Sequence, residues 1–95
     1  PPVGFYAVRV HHRDQVHGAM LYIGNRPTLV EYDNRTIEVN IFDFDQDLYG
    51  QLLRVEFIDH IREDQHFEGL EALRLQLMKD EQSARAILSA QNSNS

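Results

Sequence analysis

The sequence predicts a mostly β chain that ends in an α-helix. Two observations carry this. Up to about residue 61, Val, Ile, Phe and Tyr recur in short runs, and several of these alternate with polar residues at period two. Beyond Phe67 the apolar spacing turns helical, with Leu70, Leu73, Leu77, Ala84, Ile87 and Leu88 recurring along one side. Strands joined by short loops in this way suggest a small antiparallel sheet or barrel.

The elements follow in order. Residues 5–12 read as a first strand and 17–23 as a second, with Asp14-Gln15 in the connection, so the pair reads as a hairpin. Residues 24–28 read as a turn, because Gly24, Asn25 and Pro27 all punctuate regular structure. Residues 31–35 read as a polar loop, and 36–44 as the third strand. There Ile37, Val39 and Ile41 alternate with Thr36, Glu38 and Asn40. Residues 45–50 form an acidic turn, with Gly50 able to take positive φ. Residues 52–61 are the fourth strand, with Leu53, Val55 and Phe57 on one side. Residues 68–90 are one helix, or two with a break near Asp80. Glu68 and Glu71 near its start and Arg85 near its end suit the helix dipole. Residues 91–95 are a polar tail. Length suits a single domain over residues 1–95, with strands over 1–67, and the chain shows no repeat or internal linker.

Composition narrows the function. The 95 residues carry a net charge of -6, which argues against non-specific binding to nucleic acid or anionic membranes. Lys79 is the only lysine, and there is no cysteine, so no disulfide framework and no Cys-based metal site exists. A cytoplasmic location is compatible with this. No apolar run approaches the roughly 18 residues that span a bilayer. The start at Pro1-Pro2 reads as an excised piece of a longer protein. The histidines His11, His12, His17, His60 and His66 show no zinc spacing, and neither G-x-x-x-x-G-K-S/T nor G-x-G-x-x-G is present.

Glu38 is the first candidate for chemistry. A carboxylate held on a rigid strand, off the apolar face, is well placed to act as a general base. It is equally the kind of residue found on any half-exposed strand. Asp43, Asp45 and Asp47 follow closely, and alternate carboxylates attract hard cations. They lack the rest of a calcium loop, which favours a solvated turn and no metal site in this chain.

Four blocks in a fixed order give the chain a likeness. They are Gly4-Phe5-Tyr6-Ala7-Val8; Ile23-Gly24-Asn25-Arg26-Pro27-Thr28; Glu38-Val39-Asn40-Ile41, running on through Asp43-Phe44 to Asp47-Leu48-Tyr49-Gly50; and Ile61-Arg62-Glu63 with Phe67 and Leu70-Glu71-Ala72-Leu73. Together they resemble the riboflavin kinase domain of bacterial bifunctional riboflavin kinase/FAD synthetases, from Gly4 to about Ile87. The resemblance implies a Greek-key β-barrel with a C-terminal helix. It implies that this chain is the C-terminal portion of that domain, because the family's upstream G-x-P-T-A-N block is absent. The barrel is then incomplete, lacking its first strand or strands, and its unpaired edge invites a homo-oligomer.

The same resemblance implies roles. Glu38 becomes the base that takes the proton of the riboflavin 5′-hydroxyl as the γ-phosphoryl of ATP arrives, giving FMN. Asn40 stands where the family more often has His and is carried over to substrate binding. Arg62 is carried over as the arginine of a mobile loop that closes over the flavin; its alternative is a surface pair with Glu63, Asp64 or Glu68. Asp47 and Tyr49 match the block near the nucleotide, where Tyr49 either packs on adenine or fills the sheet edge. Arg26-Pro27-Thr28 shape a turn. The cofactor implied is Mg²⁺ with ATP, its ligands lying in the missing upstream segment, so the fragment alone should be inactive. The implied partners are riboflavin, FMN, ATP and ADP, with an FMN adenylyltransferase domain upstream in the same parent, and neither nucleic acid nor membrane.

Two other readings stay open. One is a non-catalytic flavin- or ligand-binding barrel whose pocket is lined by Phe42, Phe44, Tyr49, Phe57 and Phe67. The other is a protein-interaction domain that uses an exposed edge strand.

Overall fold

A computed structural model describes residues 1–25 and 35–93 of the chain. Four strands precede one helix: β1 (Gly4–His12), β2 (Gln15–Asn25), β3 (Arg35–Ile41), β4 (Arg54–Arg62) and α1 (Leu70–Ser93). The strands form one antiparallel sheet in the order β3-β2-β1-β4. β3 and β4 are the outer strands and do not pair with each other, so the sheet is open. The expected mixture of strands and C-terminal helix is therefore present, with the barrel unclosed.

The β1–β2 hairpin runs from His12 opposite Gln15 to Gly4 opposite Ile23. Its turn is Arg13-Asp14, one residue earlier than the sequence pattern placed it, and Arg13 takes φ 56° to close it. β2 also runs two residues further than predicted at each end, so Gly24 and Asn25 belong to it. The predicted turn at Arg26-Pro27-Thr28 and most of the polar loop at 31–35 lie outside the described residues; Arg35 opens β3.

Alternation puts two apolar surfaces on the sheet. Phe5, Ala7 and Met20 face α1 and meet Ala84 and Leu88, with Tyr22, Ile58, Ile61, Leu77 and Ile87 around them. Tyr6, Val8, Val10, Ala19, Leu21 and Ile23 face the other way, flanked by Ile41 and Val55. Gly18 lets the helix approach, because a Cβ there would lie 2.9 Å from Leu88 Cδ1. Arg9 ties the far end of α1 down, its Nη2 donating to Asn92 Oδ1 at 2.9 Å.

Two boundaries differ from the pattern. β3 stops at Ile41 instead of residue 44, because Asp43 takes φ 55°, a conformation no strand residue holds. Phe42 thereby turns in under α1, where the Arg85 guanidinium lies 4.4 Å from its ring centroid. The helix is unbroken from Leu70 to Ser93, with no interruption at Asp80, and it absorbs Gln91 to Ser93 of the predicted tail. It starts two residues later than predicted, after Gly69 at φ 100°. Gly50 has φ 78°, as the acidic turn required.

Arg85 also grips the Asp43 carboxylate, with Nη1 3.0 Å from Oδ2 and Nη2 3.3 Å from Oδ1. This hydrogen bond and the cationic charge beside it hold the Asp43 carboxyl below its ordinary value. A lowered folded-state value stabilises the fold above the unfolded value, and that stabilisation fades as pH falls through the folded value. The stability gap between wild type and Asp43→Asn is therefore expected to be full at pH 7 and to close progressively below about pH 4. Thermal melts across that range check it. A gap that does not narrow in acid removes the ion pair from the account.

Candidate functional site

Glu38 lies directly opposite Tyr22 in the β2–β3 ladder, and Asn40 lies opposite Met20. Tyr22 and Met20 belong to the surface that meets α1. Glu38 and Asn40 therefore project on the helix side of edge strand β3, while Ile37 and Val39 project on the other. A groove runs between this side of β3 and the helix. One part of it has a volume of about 430 Å³ and is lined by Asn40, Arg74 and Met78 among others. The adjoining part measures about 550 Å³ and includes Arg62 and Phe67. Phe5, Tyr22, Glu38 and Leu77 line both. The volumes and the apolar, aromatic walls with a few polar groups are those of a small-molecule site.

Aromatic packing shapes the floor. The Phe5 and Tyr22 rings lie 4.6 Å apart at 32°. The Arg62 guanidinium covers Phe5, 4.0 Å from the ring centroid, and lies 5.5 Å from Phe67. The Tyr22 hydroxyl donates to Asp64 Oδ2 at 2.7 Å, which ties the segment after β4 to β2. That hydrogen bond holds the Tyr22 phenol above its ordinary value, helped by burial and by the negative charges of Asp64 and Glu38; Arg62 opposes the shift. Glu38, Asp64 and Arg62 thus converge on one phenol.

Arg62 is the last residue of β4, and its side chain is largely buried. Its Nε lies 2.9 Å from each oxygen of Asp80 on α1, and its Nη2 lies 2.7 Å from Oδ2. The Nη2 contact is off the line of the N–H bonds, which makes it an ion-pair contact without a hydrogen bond. Nη1 donates to the Glu63 carbonyl at 3.0 Å. Asp80 is a partner the surface-pair alternative did not include.

The sequence profile described as Flavokinase: Riboflavin kinase matches residues 1–88. The chain belongs to the riboflavin kinase family. A bifunctional riboflavin kinase/FMN adenylyltransferase of Bacillus subtilis is 38% identical over 86 residues, covering 88% of this chain and 27% of that protein. The protein of the same description from Haemophilus influenzae is 34% identical over 91 residues, covering 95% of this chain and 29% of the relative. The chain therefore spans less than a third of the length of these curated relatives. Among solved structures, one described as a macrolide-efflux protein from Streptococcus pneumoniae superposes with a TM-score of 0.77 at 38% identity, covering 90% of this chain and 28% of that one.

Within this chain, the fold brings together Glu38, Asn40 and Arg62 along one groove. It does not bring Asp47 or Tyr49 there. These lie in the connection from β3 to β4, where the Tyr49 amide donates to Asp47 Oδ1 at 2.9 Å and the Tyr49 side chain is 93% exposed. That connection packs against the hairpin through Phe44 on His17 and Gln51 on His12. Among the described residues, no group of three His, Cys, Asp or Glu side chains is placed to hold a metal ion.

Sequence reasoning missed Phe5, Tyr22, Asp64 and Asp80. Phe5 and Tyr22 were readable as cross-strand neighbours once the hairpin register was known. Asp80 carried a clearer signal. It falls on the same helical stripe as Leu73, Leu77 and Ala84, and a carboxylate on an apolar stripe needs a buried partner.

Proposed function

We propose that this chain is the C-terminal part of a riboflavin kinase module that transfers the γ-phosphoryl group of ATP to the 5′-hydroxyl of riboflavin, giving FMN and ADP. The observation that carries the proposal is the Glu38 carboxylate, held on a strand at the wall of an aromatic groove, in a chain of this family. The flavin ring suits the apolar walls at Phe5, Tyr22 and Leu77. The ribityl chain then runs toward β3, where Glu38 accepts the hydroxyl proton as the oxygen attacks phosphorus. Asn40, two residues along on the same side, hydrogen-bonds the polar ribityl chain.

Mg²⁺ bridging the nucleotide phosphates neutralises charge in such transfers. Its ligands, and the part of the nucleotide site beyond Asp47 and Tyr49, belong to residues outside this chain. The curated relatives' descriptions support a parent that also carries an FMN adenylyltransferase domain, and a cytoplasmic location suits such an enzyme. The open sheet supports an incomplete barrel. Ile37 is 63% exposed and Val39 40% on the face away from the helix, where further strands of the parent would cover them.

The test is FMN formation from riboflavin and Mg-ATP, followed by chromatography. The full-length parent is assayed beside this chain alone. FMN from the parent and none from the chain alone is the expected result. Riboflavin binding with no FMN from the parent overturns the kinase reading in favour of a non-catalytic flavin binder. No flavin binding at all leaves the interaction-domain reading.

A further inference from the structure

Asp80 is the most deeply buried charged side chain among the described residues, at 1% exposure. Both its oxygens are committed. Oδ1 accepts from Arg62 Nε at 2.9 Å and from Gln76 Nε2 at 3.0 Å, while Oδ2 lies 2.9 Å from Nε and 2.7 Å from Nη2. The guanidinium so held lies over Phe5 and forms part of the groove wall that Glu38 shares. We propose that Asp80, oriented by Gln76, is the positioning residue that fixes the Arg62 guanidinium in the groove for the riboflavin ring. The inference rests on the kinase reading above and adds a residue on α1 that does not itself touch substrate.

Charge decides which part of the reaction Arg62 serves. A guanidinium within 3 Å of a buried carboxylate presents little net charge to a ligand. An anionic phosphate gains little from such a pair. A neutral, planar ring with carbonyl acceptors gains a flat donor edge beside the Phe5 and Tyr22 rings. Nη2 is buried against Asp80, whereas Nη1, on the exposed side, uses only one of its two N–H groups on Glu63, so one donor remains for a ligand. Arg62 thus recognises the flavin and not the nucleotide.

A pair that merely staples β4 to α1 would cost stability without touching ligand preference. The experiment uses the full-length parent and measures riboflavin affinity by flavin fluorescence quenching, KM for ATP, and thermal unfolding. Asp80→Asn is expected to weaken riboflavin binding by about tenfold or more, with KM for ATP changed by less than about twofold. Gln76→Ala, a milder change that keeps the ion pair, is expected to weaken it about threefold and decides the question if Asp80→Asn does not fold. Adding Asp80→Asn to Arg62→Ala should weaken riboflavin binding no further, because the guanidinium it positions is gone.

Unchanged riboflavin affinity in folded Asp80→Asn or Gln76→Ala overturns the proposal. So does an equal loss for ATP. A wild-type parent that binds riboflavin but forms no FMN overturns the kinase reading alone, and riboflavin affinity in the variants still decides this inference. A parent that binds no riboflavin overturns both.

Discussion

Replacing Glu38 with Gln in the full-length protein is expected to lower kcat for FMN formation by about 10²–10⁴-fold while riboflavin affinity stays within about twofold. The amide keeps the size and polarity of the side chain but cannot accept the hydroxyl proton. Glu38 sits on an outer strand and is exposed, so the substitution removes no buried packing. Its only large consequence should be chemical. Steady-state kinetics and flavin fluorescence quenching separate the two quantities. Loss of kcat with retained affinity assigns Glu38 to the proton transfer. A variant that keeps kcat removes Glu38 from the mechanism, and one that loses affinity in parallel makes it a binding residue instead.

Asp80→Ala is expected to destabilise the fold by about 3–5 kcal/mol. The reason is the partner left behind. Arg62 is largely buried, and without Asp80 its charge would have no carboxylate within the core. Ion pairs at the surface behave differently: Arg74 and Glu71 are both well exposed, and removing either should leave stability unchanged within error. Replacing both buried partners with apolar residues, Arg62→Met with Asp80→Leu, should recover most of the stability while riboflavin affinity stays low. Denaturant unfolding of the single and double variants checks this. A double variant as unstable as Asp80→Ala would mean that the helix packing, and not the orphaned charge, sets the loss.

Much of this architecture was readable from the sequence, for identifiable reasons. Period-two alternation marked the strands, and the change of period after Phe67 marked the helix. Alternation shows which residues share a face but not what covers that face. Ile37, Val39 and Ile41 read as core, yet Ile37 and Val39 are exposed because β3 is the outer strand of an open sheet. Glu38 and Asn40 read as outward-facing, yet they look onto the groove below α1. Phe42 and Phe44 looked like a continuing strand. The chain turns there because Asp43 adopts a left-handed conformation and Arg85, 42 residues away in sequence, grips its carboxylate.

The candidate site was legible in part. Glu38, Asn40 and Arg62 came from the family resemblance and lie along one groove. Tyr22 and Asp64 needed the tertiary structure, since their hydrogen bond joins residues far apart in the chain. The sequence left open whether one helix runs through Asp80 or two meet near it, and a lone carboxylate on an apolar stripe is costly to bury. Its partner Arg62 removes the cost, and the helix continues.

The central claim is that Glu38 meets the riboflavin 5′-hydroxyl in the groove between β3 and α1. A crystal structure of the full-length protein with riboflavin and a non-hydrolysable ATP analogue tests it most directly. The account predicts the ring beside Phe5 and Tyr22 and the hydroxyl within about 2.6–3.2 Å of a Glu38 carboxylate oxygen. A flavin bound on the opposite face of the sheet, against Val8 and Leu21, would contradict it.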